Sequence, residues 1–202
     1  GIDIDTAKIR IATIDSVTVT GTVEPSLTFT IAGVANSTAI NAANSGCSNS
    51  ETTNSGFAST ATVVNLGIIP ITTYTLSAQT LTVVTNAASG YALTATSSGH
   101  LVNDATGAQI GDPGPNNFAT WQAPGASVTQ FGIHACGADV STTNWGAAST
   151  SISANTAKIA WPSSVNNVTL ASTGVGPIPK TGTTGSGITT VEYASSVANT
   201  VP

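Results

Sequence analysis

The sequence predicts an all-β fold: an antiparallel β-sandwich of the immunoglobulin-like or jelly-roll kind, with an extended N-terminal strand. Three observations carry this expectation. Short runs of alternating apolar and polar residues recur, each closed by Gly, Pro, Asn or Ser. No stretch sustains an apolar period of 3.6 residues with good helix formers. Apolar residues make up 40% of the 202, enough for a core, while only 6% are charged, against about 25% in ordinary soluble domains.

The first element is the longest. Read as one strand, residues 2–23 would span roughly 70 Å, several times the usual strand of about 5–6 residues. Odd positions Ile9, Ile11, Val17, Val19 and Val23 are apolar, with Ala7 beside them. Even positions Lys8, Arg10, Ser16, Thr18, Thr20 and Thr22 are polar. The alternation breaks at residues 12–15, where Asp15 falls on the apolar face, and an unpaired carboxylate is costly to bury. The run therefore divides. Residues 1–13 form an N-terminal extension with no evident place in their own sheet. Residues 14–202 form a single sandwich domain whose first strand is about 14–23.

The following elements are SLTFTIAGV, with Leu27, Phe29 and Ile31 on one face, then TATVVNLGIIPI, AQTLTVVTN, GYALTATSS, SVTQFGIHAC, TAKIAW and ITTVEYASSVA. NAASGY reads as a hairpin connection, since Asn86 and Gly90 tolerate positive φ. Residues 33–59, 99–127 and 172–187 read as long loops rich in Asn, Ser, Gly and Pro. The last strand is followed only by NTVP. A sandwich that lacks a final edge strand would leave an acceptor groove there.

Bulk properties narrow the function. Nine acids and four bases give a net charge of −5, and Lys8, Arg10, Lys158 and Lys180 are scattered. No basic patch exists for nucleic acid or an anionic membrane. No apolar run is long enough to span a bilayer. The chain begins at Gly1 and contains no Met, which fits a mature chain after removal of a secretory signal, and a secreted, extracellular or cell-surface location. In an exported chain, Cys47 and Cys136 are expected to form one disulfide, worth about 4 kcal/mol through loop closure. The alternative is two buried thiols.

A free extended segment with alternating apolar residues can add itself to a neighbour's sheet edge. Such a heterologous contact builds a filament when the rotation does not close. The expected anchors are Ile2, Ile4, Ile9 and Ile11. The segments VTGTVEPSLTFTIAGV and TATVVNLGIIPITTYTLSAQTLTVVTNAASGYALTATSSG resemble a broad group of exported bacterial surface β-sandwich proteins, over about residues 15–135. In overall plan the chain also resembles donor-strand filament subunits, such as TasA-like fibres and chaperone–usher pilins. That resemblance implies a structural, self-polymerising role.

IPKTG at 178–182 approaches a sortase signal, but neither an apolar span nor a basic tail follows. His100 and His134 lack a G-x-S-x-G elbow, so no catalytic residue is assigned and no enzyme is expected. Asp104, Asp112, Asp3 and Asp5 are too sparse for a calcium loop, so no metal or cofactor is assigned. Lys158 and Glu192 are the one pair suited to an isopeptide bond. Asn36 and Asn167 head N-x-S/T sequons. Trp121, Trp145 and Trp161, with Tyr74, Tyr91 and Tyr193, could instead build a glycan-stacking platform. The leading expectation is a filament or pilus subunit whose partners are copies of itself. A monomeric adhesin or carbohydrate-binding module is the alternative.

Overall fold

The computed structural model describes residues 20–102, 106–114, 117–125, 128–179 and 186–198. Of these, 36% are strand and 5% helix, and every ladder is antiparallel. The chain is all-β, as its alternation predicts.

The central sheet has the order β1-β2-β8-β5: β1 is Leu27–Gly33, β2 Tyr74–Thr85, β5 Gln130–Gly137 and β8 Ile188–Ser196. Two-stranded pieces join β3 (Tyr91–Ala95) to β7 (Val168–Thr173), and β4 (Ala119–Thr120) to β6 (Lys158–Ile159). Two single-turn helices interrupt the loops, α1 at Ile40–Ala43 and α2 at Thr142–Trp145.

Strand parity decides what each face of the central sheet meets. Rungs such as Gln79↔Val191 and Ala135↔Val191 set Leu81, Val83, Val191, Ile133 and Ala135 on one face. That face packs against Val168, Leu170 and Ala171 of β7 and Tyr91 of β3. The opposite face carries Leu76, Ala78, Ala194, Glu192, His134 and Cys136. It is covered by the loop bearing Ile40 and Cys47, and by Trp121, Ile152, Ala157 and Ile159. Cys47 and Cys136 form a disulfide across 89 residues, tying this covering loop to β5.

Four expectations need correction. TATVVNLGIIPI is not a strand: residues 61–70 are irregular, with Val63 56% and Ile68 93% exposed. Its apolar residues have no sheet to alternate against. NAASGY is not a hairpin, because β2 pairs with β1 and β8 while β3 pairs with β7; it carries the chain from one layer to the other. Thr20–Val23 is not part of a strand. Finally, the last strand does not border an empty groove. β8 lies between β2 and β5, with a neighbour on each side.

Candidate assembly edge and the buried cluster behind it

Among the described residues, the open edge of the central sheet is β1. Its backbone polarity can be read from its neighbours. Val83 N–H donates to Gly187 O at 2.7 Å, and Thr85 and Ile178 exchange two bonds, so odd residues of β2 point toward β8. Even residues point the other way, as Asn86 N–H does in donating to Ser26 O at 3.3 Å. The register Leu27↔Thr85 through Gly33↔Gln79 then bonds the even residues of β1 to β2. The N–H and C=O groups of Leu27, Phe29 and Ile31 point outward, and they have no partner among the described residues.

The side chains of the same three residues extend the apolar face of Leu81 and Val83. Ile31 is half-buried, but Leu27 is 62% and Phe29 45% exposed. The β3–β7 layer stops short of them. Immediately upstream, residues 20–26 are exposed, fastened only near β2, where Asn86 holds Glu24 O and Ser26 N–H through its side chain.

The other borders are better protected. At β5, Ile133 and Ala160 exchange two main-chain bonds, and Phe131 N–H reaches Gly111 O. β3 is short and carries a register shift between Leu93 and Thr94, the kind of irregularity that blunts an edge. The part of β2 that extends past Gly33 is capped by Asn54, which bonds Leu76 on both sides, and by Ser59 against Ala78 O.

Behind this sheet, on the face under the disulfide loop, lies a buried ionisable cluster. Glu192 is fully buried and faces His134 across one rung. Burial, and then Glu51, raise the Glu192 carboxyl well above its usual range. Asn49 Nδ2 donates to its Oε1 at 3.4 Å. Glu51 accepts the backbone N–H groups of Ile152 at 3.2 Å and Ser153 at 2.8 Å. His134 is pushed down to about 4 by burial. Its Nδ1–H donates to Lys158 O at 2.9 Å, leaving Nε2 unprotonated, 3.5 Å from Thr150 Oγ1. His134 is 1% exposed, so this cluster has no substrate access and stays inside the fold.

Ile2, Ile4, Ile9 and Ile11 lie outside the described residues, as do Asp104 and Lys180–Gly182. Lys158 Nζ donates to Thr143 O at 3.0 Å, which leaves it engaged away from any cross-link with Glu192. Asn36 is half-buried and clamps Gly56 N–H with its Oδ1 at 2.9 Å, whereas Asn167 is exposed just ahead of β7. His100 Nδ1 pairs with Asp112 Oδ2 at 2.6 Å in a surface loop. Trp121 and Trp145 are fully buried, and Trp145 donates to Thr169 O at 3.0 Å. Trp161 is half-buried against Phe131, with ring centroids 4.5 Å apart. The six aromatics do not form one platform.

Among the described residues no group of three or more His, Cys, Asp or Glu is arranged to hold a metal, and no helix is long and apolar enough to cross a membrane. No protein-family model, curated protein or solved structure matches the chain.

Proposed function

We propose that this chain is a secreted structural subunit of an extracellular filament, in which residues 2–13 of one copy pair along the β1 edge of the next. The observation that carries the reading is the conjunction at β1 of outward-facing main-chain groups with exposed Leu27 and Phe29. An added strand satisfies the first and covers the second. The low charge content supports the same reading, because a Thr- and Ser-rich surface meets copies of itself with little charge to desolvate. The disulfide fits an oxidising, extracellular setting. Donor and acceptor are different patches, so the contact propagates rather than closing into a two-fold dimer.

The test is negative-stain microscopy of the native material, with and without heating in SDS, beside a variant lacking residues 1–12. Fibres that resist SDS, together with a folded monomeric deletion variant, are expected. Fibres formed by the deletion variant would overturn the reading. A dispersed native monomer would turn it toward the adhesin or glycan-binding alternative.

A further inference from the structure

The open stretch of β1 is short and bounded. Its outward main-chain groups belong to Leu27, Phe29 and Ile31. Ahead of Leu27 stands Pro25, which has no N–H to offer an added strand. After Gly33, Val34 N–H donates to Ser59 Oγ at 2.8 Å, and its carbonyl accepts from Ser59 N–H at 3.0 Å, so the backbone there is already paired. The two faces of the stretch differ. Leu27, Phe29 and Ile31 line one. Thr28 and Thr30, both exposed, line the other, beside Val84 and Thr82 of β2.

A strand laid along this edge covers the apolar strip with alternate residues only, so its phase decides which ones those are. The N-terminal segment offers two phases. In the odd phase the strip receives Ala7, Ile9 and Ile11, and the threonine face receives Lys8 and Arg10. In the even phase the strip receives Ile2, Ile4 and Thr6, and the threonine face receives Asp3 and Asp5. One donor strand cannot use all four isoleucines. Turning Ile9 and Ile11 toward the strip turns Ile2 and Ile4 away from it.

Charge separates the two phases. The chain carries a net charge of −5. Glu24, exposed and held at the Leu27 end by Asn86, is the charged residue closest in sequence to β1. The even phase adds two carboxylates to this acidic setting, and like charges brought together across strands are destabilising. The odd phase adds two of the chain's four bases. Their methylene stems can lie across Thr28 and Thr30 while their charged heads stay in water. Sliding the odd phase by two residues brings Asp5 or Thr13 onto the apolar strip, so the register is set along with the phase.

We infer that the β1 edge selects one register, with Ile9 of a second copy opposite Phe29. Ile9 and Ile11 are the anchors, Lys8 and Arg10 cover Thr28 and Thr30, and Ile2 and Ile4 do not anchor this contact. This rests on the proposed strand addition at β1 and names the residues that give it specificity. It narrows the expected four anchors to two. It holds for either strand sense, because Phe29 is the middle residue of the acceptor strip and Ile9 the middle residue of the donor triplet.

Photocrosslinking separates this inference from the reading beneath it. A full-length variant carries benzoylphenylalanine in place of Phe29, an exposed position, and is assembled with isotope-labelled unmodified chain. The expected inter-copy products join it to residues 8–10. Products centred on residues 3–5 would overturn the register and leave strand addition standing. Products outside the N-terminal segment, confined within one copy, or absent would overturn both. As a second readout, Ile9→Ser with Ile11→Ser should raise the critical concentration for assembly about tenfold or more, the scale of one lost apolar anchor, while Ile2→Ser with Ile4→Ser should leave it within about twofold. An equal or larger effect from the second pair would overturn the register, and no effect from either pair would overturn strand addition as well.

Discussion

Glu192 Oε2 lies 3.8 Å from His134 Nε2 across adjacent strands, with both side chains sealed from solvent and both groups displaced toward their neutral forms. Burial therefore favours the neutral form of each partner over an ion pair. A charge on either partner would be desolvated. The groups that face Glu192 are His134 from β5, Tyr74 from β2, and Glu51 and Asn49 from the covering loop.

This arrangement fixes a pH profile. Glu192 has a folded pKa above its usual 4.5, so its contribution is full below about 4.5 and is lost as pH rises toward the folded value. His134 has a folded pKa of about 4 against 6.5, so its contribution is full above about 6.5 and is lost as pH falls toward 4. The two slopes oppose each other between those limits. Thermal stability should be flat from about pH 4.5 to 6.5 and should fall on the alkaline side by up to about 1.4 kcal/mol per unit. Glu192→Gln should flatten the alkaline limb. Calorimetric melting from pH 4 to 9 checks this, and an unchanged alkaline limb in Glu192→Gln would refute the assignment.

The disulfide should hold the cover over that cluster. Its sulfurs are buried, Cys47 being 1% and Cys136 2% exposed. Dithiothreitol alone should leave the folded protein oxidised, and reduction should require denaturant. Cys47→Ala with Cys136→Ala should lower the unfolding free energy by about 4 kcal/mol, because the bond closes a loop of 89 residues. Urea unfolding followed by fluorescence measures it.

Trp145 should behave as a core residue. It sits edge-on to Phe118 at 4.8 Å and donates to Thr169 O. Trp145→Phe should cost about 1–3 kcal/mol, since it removes the indole N–H bond to Thr169 O and shrinks a fully buried ring. Trp161→Ala should change stability less, because its ring is half-buried. Equilibrium unfolding of the two variants, read by circular dichroism, compares them; a larger loss for Trp161→Ala would reverse the assignment of core and surface.

Much of this was legible in the sequence, and what was missed has physical reasons. β2, β3, β5 and β8 show themselves through alternation because each has at least one face against a defined layer, and β1 alternates in the same way although only Ile31 of its residues is half-buried. Parity also places Glu192 on a covered face, between Thr190 and Ala194. Parity cannot show that Glu51 and Asn49 come down on it, since those residues sit in a loop whose path is set by the disulfide. The strand order is the larger gap. Pairing β8 between β2 and β5 is a long-range choice that no local pattern reports, and it moved the open edge from the end of the chain to β1. β7 was hidden inside a Gly- and Ser-rich region. The segment TATVVNLGIIPI is the converse case, where β-branched residues lie exposed without a sheet.

The edge itself gives the sharpest prediction. Leu27 and Phe29 are exposed, so Leu27→Lys with Phe29→Lys should shift the monomer's unfolding free energy by only about 0.5 kcal/mol per site. The same change places two ammonium groups on the apolar strip an added strand would cover. Burying an unpaired charge in a strand contact is costly, and lysine is a residue with which edges are commonly protected. Assembly should therefore fall below detection while the fold stays intact. Light scattering and microscopy report assembly, and circular dichroism reports the fold. A Lys substitution at Val165, also exposed and in the loop ahead of β7, serves as the control and should leave fibres unchanged. Loss of fibres in both variants would point to a general effect of added charge, whereas loss in the β1 variant alone would assign the contact to that edge.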